Sequence, residues 1–305
     1  MTDLIYLSPE VEAALHDKRP IVALESTLIT HGLPWPENAA TALAMEAAVR
    51  ESGAVPATIA VLGGRITVGL SRDQIENLAR RPFGSVRKCS RRDLPIVVAR
   101  GEDGATTVAG TMIVAHRAGI RVFGTGGIGG VHRGAPFDIS ADLLELGRTP
   151  VAVVCAGPKA ILDIPVTLEY LETRGVPVVA IGQADLPGFY ARSSGIAAPM
   201  TAADVEDAAR ITALHLGLGL GSAILLCTPV PEDAALPGDV ARNAIERAIA
   251  EAEASAVSGP ALTPWLLARV ADLTEGASVR ANTALIVNDA RVAGLIAANL
   301  LARAP

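Results

Sequence analysis

Gly124 to Asp142 reads GTGGIGGVHRGAPFDISAD, with six glycines in its first eleven residues and His132, Arg133, Asp138, Ser140 and Asp142 directly behind them. Glycines this dense free the backbone to take positive φ and to present bare N–H groups. The polar residues that follow are hydrogen-bonding and metal-binding types. Such a segment packs a core poorly and suits a small anion or a sugar, so the chain reads as an enzyme. Gly124, Gly126 and Gly129 also satisfy G-x-G-x-x-G, the dinucleotide fingerprint. That fingerprint needs a long helix from its third glycine, and Gly130, Gly134 and Pro136 would break one. A plain flexible loop is the bland alternative.

Five positions could do chemistry. Asp138 is either a turn aspartate bonding its own backbone or a ligand for a hard divalent ion. His16, His31, His116, His132 and His215 show no zinc-type spacing. A one-carboxylate site would keep water around the metal, which fits Mg²⁺ or Mn²⁺. Ser140 and Asp142 stand where a helix begins, and could hold phosphate or sugar hydroxyls or simply cap the helix. Lys159 follows the apolar run Val151–Cys155 through Ala156, Gly157 and Pro158. Desolvation there would free its amine to attack a carbonyl; the alternative is a lysine snorkelling at the sheet rim. Glu25 closes the run Ile21–Leu24, either paired with a base or acting as general acid/base.

Two other groups read less sharply. Arg87, Lys88, Arg91 and Arg92 are too short a run, without aromatics, for an RNA patch; a solvated loop or one lysine turned to a phosphate fits better. Asn282 and Asn288 share the last helical stretch, and either could reach a ligand or face solvent.

The elements that must position these residues alternate. Strands are expected at Ile21–Leu24, Thr58–Leu62, Ile66–Gly69, Ile96–Ala99, Arg121–Gly124, Val151–Cys155, Val176–Ile181 and Ala223–Cys227. Helices are expected at 37–52, 72–79, 105–118, 141–147, 164–174, 202–216, 239–255, 264–274 and 281–303. Ser71 with Gln74 and Thr201 with Asp204 fit capping-box spacing, and Thr263-Pro264 reads as an N-cap followed by proline. Gly63-Gly64 suggests a hairpin. This order predicts a three-layer α/β/α fold on a mixed, largely parallel sheet, as one domain over residues 1–305.

Composition bounds the rest. The chain has 305 residues, half of them hydrophobic but only 3% aromatic, so Ala, Val, Leu and Ile must build the core. Mean hydropathy is +0.39. A net charge of −6 argues against nucleic-acid or membrane-surface binding. Three widely spaced cysteines, Cys89, Cys155 and Cys227, read as reduced thiols. No basic leader is evident, and no apolar run approaches the ~20 residues of a spanning helix. A cytoplasmic location is the expectation.

Several long motifs in the same order resemble one family. ALESTLITHGLPWPEN, GAVPATIAVLGGRITVGLS, KCSRRDL, GATTVAGTM, the glycine stretch with FDISADL, VAVVCAGPKAILDIPVTLEYLE and NTALIVNDARVA are similar to the pseudouridine-5'-phosphate glycosidase (indigoidine synthase A-like) family. The resemblance spans nearly the whole chain; the stretch from Arg133 to Phe137 is shorter than the family pattern. It implies reversible cleavage of the C–C glycosidic bond of pseudouridine 5'-phosphate to uracil and ribose 5-phosphate, with one Mn²⁺ (or another divalent ion) per subunit of a homotrimer. On matching positions it implies Glu25 as proton donor, Lys159 as the imine-forming nucleophile and Asp138 as the metal ligand. Lys88, Val108 and Ser140, Ala141 and Asp142 would contact substrate, and Thr125, His132 and Asn282 would line the site. The bland alternatives are a relative acting on another phosphorylated C-nucleoside or in pigment biosynthesis, a silent phosphosugar binder and, more distantly, a nicotinamide dehydrogenase.

Overall fold

The β-branched runs pair side by side into one sheet whose central strands are buried on both faces. The computed structural model describes residues 4–82, 84–255, 257 and 262–302. Its strands begin with β1 (Ile5–Leu7), β2 (Ile21–Leu24), β3 (Val55–Leu62), β4 (Arg65–Val68) and β5 (Arg87–Cys89). Next come β6 (Gly104–Thr106), β7 (Val122–Gly124), β8 (Val131–His132), β9 (Ala135–Ile139) and β10 (Ala152–Cys155). The last are β11 (Leu162–Asp163), β12 (Val178–Ile181), β13 (Met200–Ala202) and β14 (Ile224–Cys227). The helices start with α1 (Pro9–His16), α2 (Glu37–Glu51), α3 (Arg72–Ala79), α4 (Leu94–Arg100), α5 (Val108–Arg117) and α6 (Ala141–Leu146). They continue with α7 (Ile164–Thr173), α8 (Val205–Gly217), α9 (Gly238–Ala254), α10 (Leu262–Leu273) and α11 (Ala277–Ala302).

The large sheet runs β1-β4-β3-β2-β7-β10-β14-β12-β13, and β3 to β13 in that order are parallel. Antiparallel pairing enters only beside β3, through the β3–β4 hairpin across Gly63-Gly64 and through β6. Alternation divides the core, since successive side chains point to opposite faces. Val22, Leu24, Ala152 and Val154 pack with residues of α2, α8, α9 and α11. Ala23, Phe123, Val153 and Cys155 pack with residues of α1, α5, α6 and α7. The three-layer, largely parallel expectation therefore holds.

By length and composition, the stretch Ala277–Leu301 of α11 could cross a bilayer, contrary to the run-length reading of the sequence. Its apolar residues have a use here: Leu285, Ala293 and Ile296 are buried, and the helix packs on α2, α8 and strands β2, β7 and β10.

Local differences are instructive. Ile96–Ala99, expected as a strand, lies inside α4, which ends at Gly101 in a left-handed conformation. The expected helix over 105–118 starts only at Val108, where the Thr107 side chain caps it; Gly104–Thr106 is a strand. The Ser71–Gln74 capping box is present. Thr201 caps nothing: Asp204 accepts from the Asp207 N–H and starts α8. Thr263 lies inside α10, since the helix already includes Leu262.

Candidate active site

Glu25 is delivered by the end of β2. Leu24 pairs with Thr58 of β3 on one side and Gly124 of β7 on the other, so the next residue sits at the carboxyl edge of the sheet. Buried hydroxyls fix that edge. Ser26 Oγ donates to the Ile59 carbonyl at 2.6 Å and accepts from the Thr106 N–H at 2.9 Å. The Glu25 carboxylate accepts from Thr125 Oγ1 through Oε1 at 2.5 Å and from Thr27 Oγ1 through Oε2. Its rotamer is therefore held from both sides.

Lys159 arrives two strands away on the turn after β10. That turn is laced to the glycine loop: the Ala156 N–H donates to the Gly126 carbonyl, Ile128 N–H to Gly157, and Lys159 N–H to Ile128, each at 3.1 Å. Gly157 has φ +88°, a backbone conformation that a side chain would strain. The glycine loop thus acts as a brace that sets where the lysine leaves the sheet.

Asp142 anchors the far side of the loop. Its Oδ2 accepts from the Gly129 N–H at 2.9 Å and its Oδ1 from the Ala109 N–H at 3.0 Å, at the start of α5. Ser140 caps α6 by accepting from the Asp142 N–H, and Ala141 begins that helix. A Cβ on Gly129 would lie 2.2 Å from Ser140 Oγ, so only glycine allows this approach. Glu145 ties α6 to the cationic segment. It is buried and accepts from Arg91 Nε at 2.9 Å and Nη2 at 2.6 Å, and from Arg148 and Thr149.

A cavity of about 260 Å³ opens between these ends, and Glu25, Lys88, Lys159, Asn282, His31 and Phe189 all lie on its wall. Helix α10 contributes Thr263, Pro264 and Leu267, covering the site. Burial first, and then the charge of Lys159, hold the Lys88 amine below the ordinary lysine range, against the pull of Asp142 and Glu25. Burial, then Lys88, likewise lowers the His31 imidazole.

Of the residues expected in the site, Glu25, Lys88, Lys159 and Asn282 meet on this wall. Thr125, Val108, Ser140, Ala141 and Asp142 do not line it; Thr125 and Asp142 hold the carboxylate and the loop behind it. Val108 is buried as the first residue of α5. His132 and Asp138 lie on the small antiparallel sheet β11-β8-β9 and face a neighbouring cavity of about 230 Å³, together with Glu253. Asp138 is exposed. No cluster of three or more His, Cys, Asp or Glu suited to a metal exists among the described residues. An exposed lone carboxylate fits a hard, mostly hydrated ion and does not fit zinc.

Outside the site, Asn288 donates to the Pro229 carbonyl and accepts from Arg291, and Arg87 faces Glu102 at 3.6 Å. Two residues escaped the sequence reading. His31 stands on a π-helical turn, Leu28–Gly32, whose only sequence signal is its nearness to Glu25. Asp289 is fully buried beneath the lysine turn with neither oxygen hydrogen-bonded among the described residues. Burial pushes its carboxyl well above the usual range, and Cys155 adds to this.

Comparison with known proteins shows the family. A family model described as indigoidine synthase A like protein matches residues 10–299. The chain is 56% identical over 300 residues to the pseudouridine-5'-phosphate glycosidase of Paracoccus denitrificans, covering 98% of this chain and 99% of that protein. It is 52% identical to the enzyme of that name from Escherichia coli, covering 97% and 95%. Among solved structures, the prealnumycin C-glycosynthase AlnA in complex with ribulose 5-phosphate superposes with a TM-score of 0.90 at 40% identity, covering 98% and 97%. An indigoidine synthase A-like protein of Thermotoga maritima gives 0.87 at 33%, covering 99% and 98%. The chain belongs to the indigoidine synthase A-like family.

Proposed function

We propose that the protein is a pseudouridine-5'-phosphate glycosidase, reversibly converting pseudouridine 5'-phosphate and water to uracil and ribose 5-phosphate. One observation carries the chemistry: Lys159 and Glu25, from strand ends two apart in the sheet, share a cavity wall with no second carboxylate on it among the described residues. Ordinary glycosidases use paired carboxylates because their leaving group is an oxygen that can be protonated. A C–C bond offers no such oxygen. An amine bonded to C1' instead supplies the electron pair that stabilises C1' as the base departs, the nitrogen and C1' becoming an imine.

The Lys159 amine bonds to C1' and the ring C1'–O4' bond breaks, with the proton shed by nitrogen reaching O4'. The C1'–C5 electron pair then leaves with the base while nitrogen and C1' form the imine, and C5 takes up a proton. Water hydrolyses the imine, freeing ribose 5-phosphate and regenerating the amine. Glu25 would move these protons. In the resting geometry both its oxygens accept hydroxyl bonds, so it first takes a proton from the amine and then returns it as an acid.

Asp138 would hold a divalent ion, Mn²⁺ or Mg²⁺, mostly through waters; such an ion supplies charge neutralisation for a phosphorylated sugar. A homotrimer in the cytoplasm completes the proposal and rests on family resemblance. A second reading, turnover of another phosphorylated C-nucleoside, is favoured by the similarity to a C-glycosynthase. Incubation with pseudouridine 5'-phosphate and Mn²⁺ tests the first reading: uracil and ribose 5-phosphate should appear in equal amounts. Turnover only of other C-nucleotides in a substrate panel would favour the second.

A further inference from the structure

The chemistry of Glu25 and Lys159 leaves one enclosed polar group unused. Asp289 is fully buried, and neither of its oxygens has a hydrogen-bond partner among the described residues. An unmet carboxyl costs stability, whereas an apolar side chain of similar shape in the same place would not. Burial favours its uncharged acid form, which can both donate and accept a hydrogen bond. A group kept at such a cost, directly behind the active cavity, calls for a use.

Its place on α11 shows what it lies under. Asn282, Ile286, Asp289 and Ala293 follow at spacings of four, three and four, so one stripe of the helix carries them all. Asn282 and Ile286 stand on the wall of the active cavity. A Cβ on Gly126 would come within 2.5 Å of Ile286 Cγ1, and one on Gly124 within 3.1 Å of the Ala293 Cβ. The stripe is thus pressed on the end of β7 and the glycine loop to either side of Asp289. Asp289 itself acts on Cys155, the last residue of β10, and Ala156, which opens the lysine turn, belongs to the same apolar cluster as Ile286, Ala290 and Ala293. That turn is lightly tied to its own strand. The Gly157 N–H is given to Cys155 Sγ at 3.3 Å, a weak acceptor, and Sγ reaches the Gly157 carbonyl only at 3.8 Å.

We propose that Asp289 is a positioning residue for Lys159, kept at a cost in stability as the polar partner with which the lysine turn exchanges hydrogen bonds when the amine advances on C1'. This rests on the imine reading above. A residue that only packed would be served as well by leucine, so the two roles predict opposite results. Ribose 5-phosphate alone should form an imine on Lys159, and borohydride quenching at successive times reads its rate. Asp289→Leu should melt at or above the wild-type temperature, yet form the imine about tenfold more slowly, the worth of one hydrogen bond. The half-saturating ribose 5-phosphate concentration should not change, because Asp289 does not line the cavity. Asp289→Asn, of the same shape and still able to donate and accept, should stay within about twofold of the wild-type rate. Asp289→Ala should be as slow as the leucine variant, which covers the case that leucine crowds the site. Wild-type rates in the leucine and alanine variants, an asparagine variant as slow as leucine, or rates that simply follow melting temperature across the three overturn the proposal. Absence of trapping in the wild-type enzyme overturns the imine reading instead.

Discussion

Glu25 and Thr125 stand one hundred positions apart in the chain and share a hydrogen bond of 2.5 Å. They are the residues that follow Leu24 and Gly124, which pair across β2 and β7. Strand register, rather than any local motif, therefore orients the candidate acid. Thr125→Val keeps the shape and removes the donor. A hydroxyl bond to a charged acceptor is worth about 1.5–3 kcal/mol, so kcat should fall about tenfold or more with KM for pseudouridine 5'-phosphate little changed. Steady-state kinetics checks this.

Asp142 is a latch between the glycine loop and α5. Asp142→Ala leaves two backbone N–H groups without acceptors at a site that is nearly closed to water. Each orphaned donor costs about 1–3 kcal/mol, and Asn, which keeps one acceptor, should cost less. Urea titration should rank the stabilities as wild type, then Asp142→Asn, then Asp142→Ala. Gly129→Ala should also destabilise, because its methyl group meets Ser140 and Asp142.

Glu145 gives the fold a defined response to acid. Burial raises its carboxyl, but Arg91, Thr149 and Arg148 outweigh that and the net shift is downward. A depressed folded-state value means the stabilisation is complete above the unfolded glutamate value of about 4.3 and is lost as pH falls through the lower folded value. Glu145→Gln removes the charge that pairs with Arg91 and Arg148, both of which remain in reach of water, and should cost about 1 kcal/mol at pH 7. The difference from wild type should shrink in denaturant titrations carried out below pH 4.

Asp138 is the metal proposal's only carboxylate on its strand, and it is exposed. Chelation should abolish turnover, with Mn²⁺ restoring it, and Asp138→Ala should raise the Mn²⁺ needed for half-maximal activity about tenfold. Titrating Mn²⁺ against both proteins by calorimetry would show the same loss of affinity without relying on activity.

Much of the layered fold was legible because parallel strands buried on both faces read as continuous apolar runs, as β2, β10 and β14 do. Glu25 and Lys159 were legible for the same reason, each following such a run. Ile96–Ala99 failed because a short apolar run looks alike in a strand and in a buried helix. Strands of two or three residues, such as β8 and β11, carry too little pattern to see, so the small sheet bearing His132 and Asp138 went unread. His31 has no spacing partner in the sequence that would mark it. Its importance comes from a π-turn and from Lys88, which is 57 residues further along the chain and packs beside it only in the fold.

The amine of Lys159 is the centre of the account, and reductive trapping addresses it directly. Borohydride added during turnover of pseudouridine 5'-phosphate should attach a ribose phosphate mass to one peptide, the one containing Lys159, and Lys159→Ala should show neither mass nor turnover. An active enzyme whose Lys159 stays unmodified, or a mass found on Lys88 alone, would contradict it.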